Sequence, residues 1–486
     1  MKMSNSETPK DLAPAAAAID PRRGTWIALL VATAFFMENL DGTVITTALP
    51  DIARSFGVAP LDLNIGVSAY LLTLGVLIPI SGWVADRFGA RKVFACALAL
   101  FTLASLLCGM ADGLLEFVLL RALQGAGGAM MVPVGRLVVL RSTPKEKLIS
   151  IIATLTWPAL VAPVLGPPVG GFITSYSSWR WIFYLNLPIG LIALALALWL
   201  IPDQKPAQKR PFDLPGFLLT GGALLSLTWA AEQLSRPDAS SVEAGAFLLL
   251  GLALLAAGVW HLRRARNPLV DLSTLTIPTF AVAIYGGSLM RMAISAVPFL
   301  LPLMFQVGFG LNAFHSGMLV MAIFGGNLMM KPATTAILRR FGFRQVLIIN
   351  GVINVLSVLA CALLTPGTPI GIIAAILFVG GLTRSMQFTA YNTIVFADMP
   401  QERMAPANTL FSTAFQVAMG LGIALGTVCV RLGHWISDSL GFESMPAIDF
   451  RLAFLLVALV SLASLVDALR LAPEAGNHVA RRPKAA

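Results

Sequence analysis

Apolar residues run along this chain in long blocks, broken by short polar stretches rich in Arg, Gly and Pro. None of the blocks alternates apolar with polar positions, so they read as helices and not as strands. A helix needs about 20 apolar residues to cross a hydrocarbon core about 30 Å thick. On that criterion fourteen spans are expected, near 25–49, 64–85, 93–111, 114–138, 148–174, 182–201, 214–234, 244–262, 277–308, 313–337, 345–365, 369–396, 405–430 and 451–471. Residues 1–24, rich in Pro, Ala and charge, read as a disordered tail. The run 25–49 is too long for a cleaved signal peptide and contains Glu38 and Asp41, so it is expected to stay as the first helix.

Composition fits this pattern: the chain is 57% hydrophobic and only 12% charged, against roughly 25% charged in soluble proteins. A net charge of +10 would suggest nucleic acid in a soluble protein. Here the basic residues sit in short loops, and topology explains them without a nucleic-acid partner. With both termini placed in the cytoplasm, 25 of the 34 Lys and Arg fall on that side, Arg136 and Arg141 among them, and 5 fall outside. Arg121, Arg291, Lys331 and Arg384 remain within spans. The four cysteines lie in apolar runs, and His261, His315, His434 and His478 are scattered, so no metal or cofactor is expected. The chain has no GxxxxGK[ST] phosphate loop. An ion gradient is then the remaining energy source, and an enzyme is not the expected class.

A short repeat divides the chain. Arg87-Phe88-Gly89-Ala90-Arg91 follows the second span and Arg340-Phe341-Gly342-Phe343-Arg344 the tenth, 253 residues later. At the same offset Glu38 corresponds to Arg291, and Asp86 to Arg339. The arithmetic fits an all-α membrane protein of two six-helix halves, 25–201 and 267–471, joined by two extra helices in 202–266 and closed by a cytoplasmic tail, 472–486.

Three motifs add chemistry. Gly82-Trp83-Val84-Ala85-Asp86-Arg87-Phe88-Gly89-Ala90-Arg91-Lys92 suits a tight turn at a close helix approach, with Asp86, Arg87 and Arg91 as a charge latch of a cytoplasmic gate; a plain topogenic loop is the alternative. Arg121, ahead of Gln124-Gly125-Ala126-Gly127-Gly128, is a costly charge within a span. It either holds a carboxylate such as Glu38 or Asp41 ionised or is satisfied structurally by backbone carbonyls. Gly166-Pro167-Pro168-Val169-Gly170-Gly171 suits a kinked helix packed closely by a neighbour.

These segments resemble the signature motifs of the major facilitator superfamily. Leu40-Asp41-Gly42-Thr43-Val44 and Trp179-Arg180-Trp181-Ile182-Phe183-Tyr184 resemble those of its fourteen-helix drug:proton antiporter branch (EmrB/QacA-like). Ala129-Met130-Met131-Val132-Pro133-Val134-Gly135-Arg136-Leu137 looks most like the MdtD-type exporters. The resemblance implies a multidrug efflux transporter of a bacterial inner membrane, working by alternating access. It also implies that Gly166, Pro167, Gly170 and Gly171 mark an antiporter and that coupling is to protons. Two departures stand out: Arg339 replaces the acid in the second gate motif, and Ala162 stands where a glycine is common.

Glu38 and Asp41 lie three residues apart on one helix face, so with Arg121 they are the candidates for proton coupling. Arg291, Lys331 and Arg384 are basic residues in second-half spans that hold almost no acids. They suggest an anion-attracting substrate site, for a polycarboxylate or its metal chelate. Arg291 paired with Glu38 is the competing arrangement. A symporter or uniporter importing an organic anion is the alternative function. The expected partners are the lipid bilayer, protons and a small-molecule substrate, with the chain acting as a monomer and with room for a periplasmic adaptor.

Overall fold

The computed structural model describes residues 21–58, 60–143, 147–203, 211–235, 240–311, 313–440, 447–476 and 479, and among them every regular element is helical. The first half comprises α1 (Pro21–Phe56), α2 (Pro60–Leu77), α3 (Ser81–Phe88), α4 (Ala90–Met110), α5 (Leu114–Ser142), α6 (Leu148–Tyr176), α7 (Trp181–Tyr184) and α8 (Asn186–Leu200). The extra pair is α9 (Leu214–Ser235) and α10 (Ser241–Arg264), packed on each other. The second half comprises α11 (Pro278–Leu303), α12 (Ala313–Phe341), α13 (Phe343–Ala362), α14 (Ile370–Ala397), α15 (Met404–Leu440) and α16 (Ile448–Leu469). α2 runs through a short 3-10 turn into α3, and α7 leads straight into α8. The described residues thus form fourteen rods in the expected order. Ten of them meet the length and composition of a membrane span as they stand.

The helix ends differ from expectation in three places. α1 opens at Pro21, a residue suited to a first helical position, so 21–24 are helical and not tail; residues 1–20 lie outside the described residues. α15 continues to Leu440, ten residues past the apolar run. The start of the expected second tail folds back: Leu471 and Val479 are buried, and Gly476 lies against the Phe343 ring. Residues 477, 478 and 480–486 lie outside the described residues.

The repeat has a structural counterpart. Gly89 (φ 90°) separates α3 from α4, and Gly342 (φ 76°) separates α12 from α13. A side chain would be strained at both turns, which is why glycine recurs there. Two residues on, the Arg of each copy holds the end of the last helix of its half. Arg91 donates to the Leu198 carbonyl in the last turn of α8, and Arg344 donates to the Leu469 carbonyl at the end of α16, at 3.3 Å. Arg23 Nε adds a bond to the Leu200 carbonyl at 2.8 Å. The last carbonyls of a helix have no intrahelical partner and carry partial negative charge, so a guanidinium stabilises them.

The core is divided in an informative way. At the end of the bundle that carries these Arg-rich turns, here the basic end, one apolar cluster joins both halves, from Ile27, Phe94 and Val138 to Phe280, Phe396 and Phe411. At the opposite end each half has its own cluster: Leu40, Val44, Phe117 and Phe183 in the first, Leu300, Phe305, Phe450 and Phe454 in the second. The halves are sealed together at the basic end and separately packed at the other.

Candidate functional site

Asp41 and Arg121 form an ion pair at 2.6 Å, with both side chains fully buried. α1 supplies the carboxylate and α5 the guanidinium. Gln124 and Asn186 each donate to Asp41 Oδ1 at 2.9 Å, Gln124 also reaches Ser105 Oγ at 2.8 Å, and Arg121 donates to Gln124 Oε1. The Arg121 guanidinium lies over the Tyr70 ring at 4.3 Å. Asp41 of α1 is therefore held by α5 and α8, with Ser105 of α4 accepting from Gln124 behind it. A buried charge pair survives in low dielectric only when its remaining hydrogen-bonding groups are met. The carboxylate has its partners; the guanidinium is covered by the Tyr70 ring, while its Nε and Nη2 have no hydrogen-bond partner among the described residues.

Glu38, one helical turn away, differs. It is half-buried, and among the described residues its Oε2 has no hydrogen-bond partner. The charges that act on it are Asp41 and Arg136. Gly128 opens the space beside it: a Cβ there would lie 3.8 Å from Glu38 Cδ and 3.3 Å from the Tyr70 hydroxyl. Arg136 corrects the charge count made from the sequence. It is not a loop residue but lies inside α5, half-buried between the halves, 5.8 Å from the Phe35 ring and 5.1 Å from the Phe411 ring. Its Nη1 donates to Ser412 Oγ at 3.4 Å, across to α15.

In the second half, Arg291 is buried on α11, 4.9 Å from the Phe411 ring and 5.0 Å from the Phe415 ring. Its Nε and Nη2 have no hydrogen-bond partner, and no ion pair joins it to Glu38 among the described residues. Arg291 and Arg136 thus approach the same aromatic ring from opposite halves. Arg384 donates to the Ile294 carbonyl at 3.5 Å, has no partner for Nε among the described residues, and borders a small apolar cavity lined by Ile294, Val297, Ile323 and Leu377. Lys331 does something else: its Nζ donates to Thr156 Oγ1 on α6 at 2.9 Å and to Thr389 Oγ1 on α14 at 3.0 Å, bridging the two halves.

The gate residues divide into two sets. Asp86 pairs with Arg141 at 3.1 Å, and Arg91 binds α8, so both charges act inside the first half. Arg87 and Gly82 line a small cavity with Pro406 and Thr409 of the second half. Gly82 makes the crossing contact itself: a Cβ there would collide with the Thr409 hydroxyl. Gly82→Val is expected to block this closure, lowering transport at least about tenfold with normal expression and gel-filtration behaviour, and Thr409→Gly in the same chain is expected to restore part of it. Wild-type transport by Gly82→Val would refute the close-packing role. On α6, Gly166 admits Thr43 of α1, whose Cβ lies 2.8 Å from where a glycine-replacing Cβ would stand, while among the described residues a Cβ at Gly171 would meet nothing within 4 Å. Gly170 accepts the Thr174 hydroxyl at 2.9 Å. α6 runs unbroken through its prolines, Pro167 included.

Sequence reasoning missed Arg136, Phe411 and the polar clamp on Asp41. For Arg136 a signal was available: it falls within the apolar run 114–138, as Arg121 does.

The chain matches the Major Facilitator Superfamily over residues 31–423. Relatives named multidrug resistance protein MdtD are 35% identical in Enterobacter sp. (strain 638), covering 88% of this chain and 90% of the relative, and 34% identical in Klebsiella pneumoniae (strain 342), covering 95% and 98%. Among solved structures, the proton:xylose symporter XylE bound to 6-bromo-6-deoxy-D-glucose superposes with a TM-score of 0.62 at 14% identity over 94% of this chain and 98% of that one. The human organic anion transporter MFSD10 (TETRAN) gives 0.61 at 13% identity, over 92% and 100%. At that identity the two structures speak for the fold alone.

Proposed function

The chain belongs to the major facilitator superfamily, a multi-pass membrane transporter and not an enzyme, and we propose that it is a proton-coupled antiporter that exports drug-like compounds from the cytoplasm of a bacterium. The observation that carries this reading is Glu38: a half-buried acid of α1 whose buried Oε2 has no hydrogen-bond partner among the described residues, with Arg136 at the junction of the halves as its basic neighbour. Asp41, its neighbour, is clamped and serves as structure. A proton carrier needs a group free to change charge, and a carboxyl oxygen without a hydrogen-bond partner supports that role for Glu38. The name borne by the relatives supports export of drugs. If the basic end is cytoplasmic, as the positive-inside rule directs, the observed arrangement is closed to the cytoplasm and splits outward, one limb of alternating access.

Arg136, Arg291 and Arg384, with Phe411 and Phe415, make the central region basic and aromatic. That chemistry suits an aromatic or carboxylate-bearing substrate, including an organic anion or its metal chelate. Arg291→Ala and Arg384→Ala are expected to weaken transport of anions about tenfold and of neutral compounds little; equal loss for both classes would remove the anionic-site assignment. Lys331→Ala belongs in the same test, although its bonds to Thr156 and Thr389 also make it a latch between halves.

Import of an organic anion with a proton is a second reading, favoured by the position of Arg136 beside Glu38. An anion on Arg136 and a proton on Glu38 reinforce each other, so they would travel together. A neutral or cationic drug that displaces the proton travels against it. Substrate affinity measured at several pH values separates the two by linkage. Antiport requires affinity to fall on acidification; a rise would establish symport.

A further inference from the structure

We infer that the cytoplasmic end of α10 binds the headgroup of an anionic phospholipid from the bilayer, at a site formed by Arg263, Arg266 and the segment that leads into α11. A cavity of about 860 Å³ lies here, walled by the last turn of α10, residues 265–276 and Tyr285 of α11. A second depression, of about 610 Å³, runs up the outer face of α10 along Leu252, Leu255, Ala256, Val259 and Trp260. Arg263 lines both. One side chain thus joins a polar chamber to an apolar furrow, which is the layout of a headgroup above its acyl chain.

Depth is marked by two exposed aromatics, Trp260 at 59% and Tyr285 at 52%. Tyr and Trp concentrate at the membrane–water interface. Arg263 follows Trp260 by three residues, about 4.5 Å along the helix, which places it at the level of lipid phosphates. Of the ten described rods that meet the span criterion, α10 is the least covered by protein, with 17% of its most apolar 18-residue stretch buried. Charge complementarity selects the headgroup. Arg263, Arg264 and Arg266 are exposed, and among the described residues none makes an ion pair; Arg264 instead stacks on Trp260 at 4.4 Å. The one carboxylate in the chamber, Asp271, accepts from the Ser273 amide at 2.9 Å. Basic pockets at this depth are how membrane proteins capture anionic headgroups.

The chamber is built. Asp213 is buried where the extra helices meet the second half, and it accepts from the Gly216 amide at 2.9 Å and the Leu269 amide at 3.0 Å, with His261 Nε2 at 2.8 Å. Burial pushes the Asp213 carboxyl up, but these bonds hold it below the usual carboxylate range. It therefore stays a charged clasp that fixes the C-terminal turn of α10 against the 267–271 segment. Pro211, Asn267, Pro268 and Asp271 also line the cavity that reaches Gly82 and Arg87, so the lipid chamber shares a wall with the gate.

The test uses purified, delipidated full-length protein, offered phosphatidylglycerol, cardiolipin or phosphatidylcholine, with retained lipid counted by native mass spectrometry. The two anionic lipids are expected to be retained about tenfold over phosphatidylcholine. Arg263→Gln with Arg266→Gln should reduce them to the phosphatidylcholine level. Arg263→Lys with Arg266→Lys should keep most of the retention, which guards against a folding defect, and Arg339→Gln with Arg340→Gln on another basic turn should leave it unchanged. Equal retention of all three lipids, unchanged retention in the Gln pair, or equal loss in the Arg339/Arg340 control would overturn the site. Displacement of the lipid by millimolar inorganic phosphate would reassign it to free anions and overturn the lipid assignment.

Discussion

Arg121→Ala is expected to destabilise the folded transporter more than any other single change discussed above. The substitution leaves the buried Asp41 carboxyl without its guanidinium partner, with Gln124 and Asn186 as its donors among the described residues. Breaking a buried ion pair from one side costs about 3–5 kcal/mol in soluble proteins. Polar contacts between membrane helices are often weaker, because the unfolded state in the bilayer also finds partners. Here Arg121 and Gln124 of α5 and Asn186 of α8 all bind the one Asp41 carboxylate, so the loss falls on a connected network. A fall of several degrees in the unfolding midpoint in detergent, with loss of monodisperse protein, is the expected result. Asp41→Asn combined with Arg121→Gln should recover much of the loss, since neither charge is then orphaned. A wild-type midpoint for Arg121→Ala alone would show that the pair is not structural.

Glu38→Gln should do the reverse: leave the fold intact and abolish coupling. The side chain keeps its shape, and no ion pair is lost because none was formed among the described residues. The expected variant has an unchanged unfolding midpoint, retains substrate exchange across a vesicle membrane without a gradient, and loses accumulation driven by a pH difference by at least about tenfold. Unchanged response to an imposed pH gradient would remove Glu38 from the coupling step. The contrast between two acids three residues apart is the sharpest consequence of the geometry. A shared helix face does not give them a shared role.

That contrast was not legible in the sequence. Spacing puts Glu38 and Asp41 on one face, but the clamp on Asp41 comes from Ser105, Gln124 and Asn186, on three helices that the chain brings together only on folding. The helical rods were legible, because about 20 apolar residues are a physical requirement of the bilayer. So was the repeat, and Gly89 and Gly342 show why it is conspicuous: a left-handed turn leaves glycine little competition. The charges at helix ends were read only in part. Arg141, Arg91 and Arg344 do lie at the basic end, yet Arg136 stands six residues inside the end of α5, at the junction of the halves. Burial, not position along the chain, decides whether such a residue sets topology or lines a site. Lys331 was legible as an unusual buried base but not as a tie between Thr156 and Thr389, which requires knowing how the halves face each other.

The undivided apolar cluster at the basic end bears on how a compound would be captured. On the proposed exporter reading, cargo is collected from the cytoplasm, and with the basic end on that side this conformation offers it no entrance. Cargo arriving from that side meets only the fraction of molecules that have parted this seam, and its apparent affinity is diluted by that fraction. The greasy contact between Phe411 and its neighbours thus acts as a threshold on intake: the tighter the resting seal, the higher the internal concentration at which pumping begins.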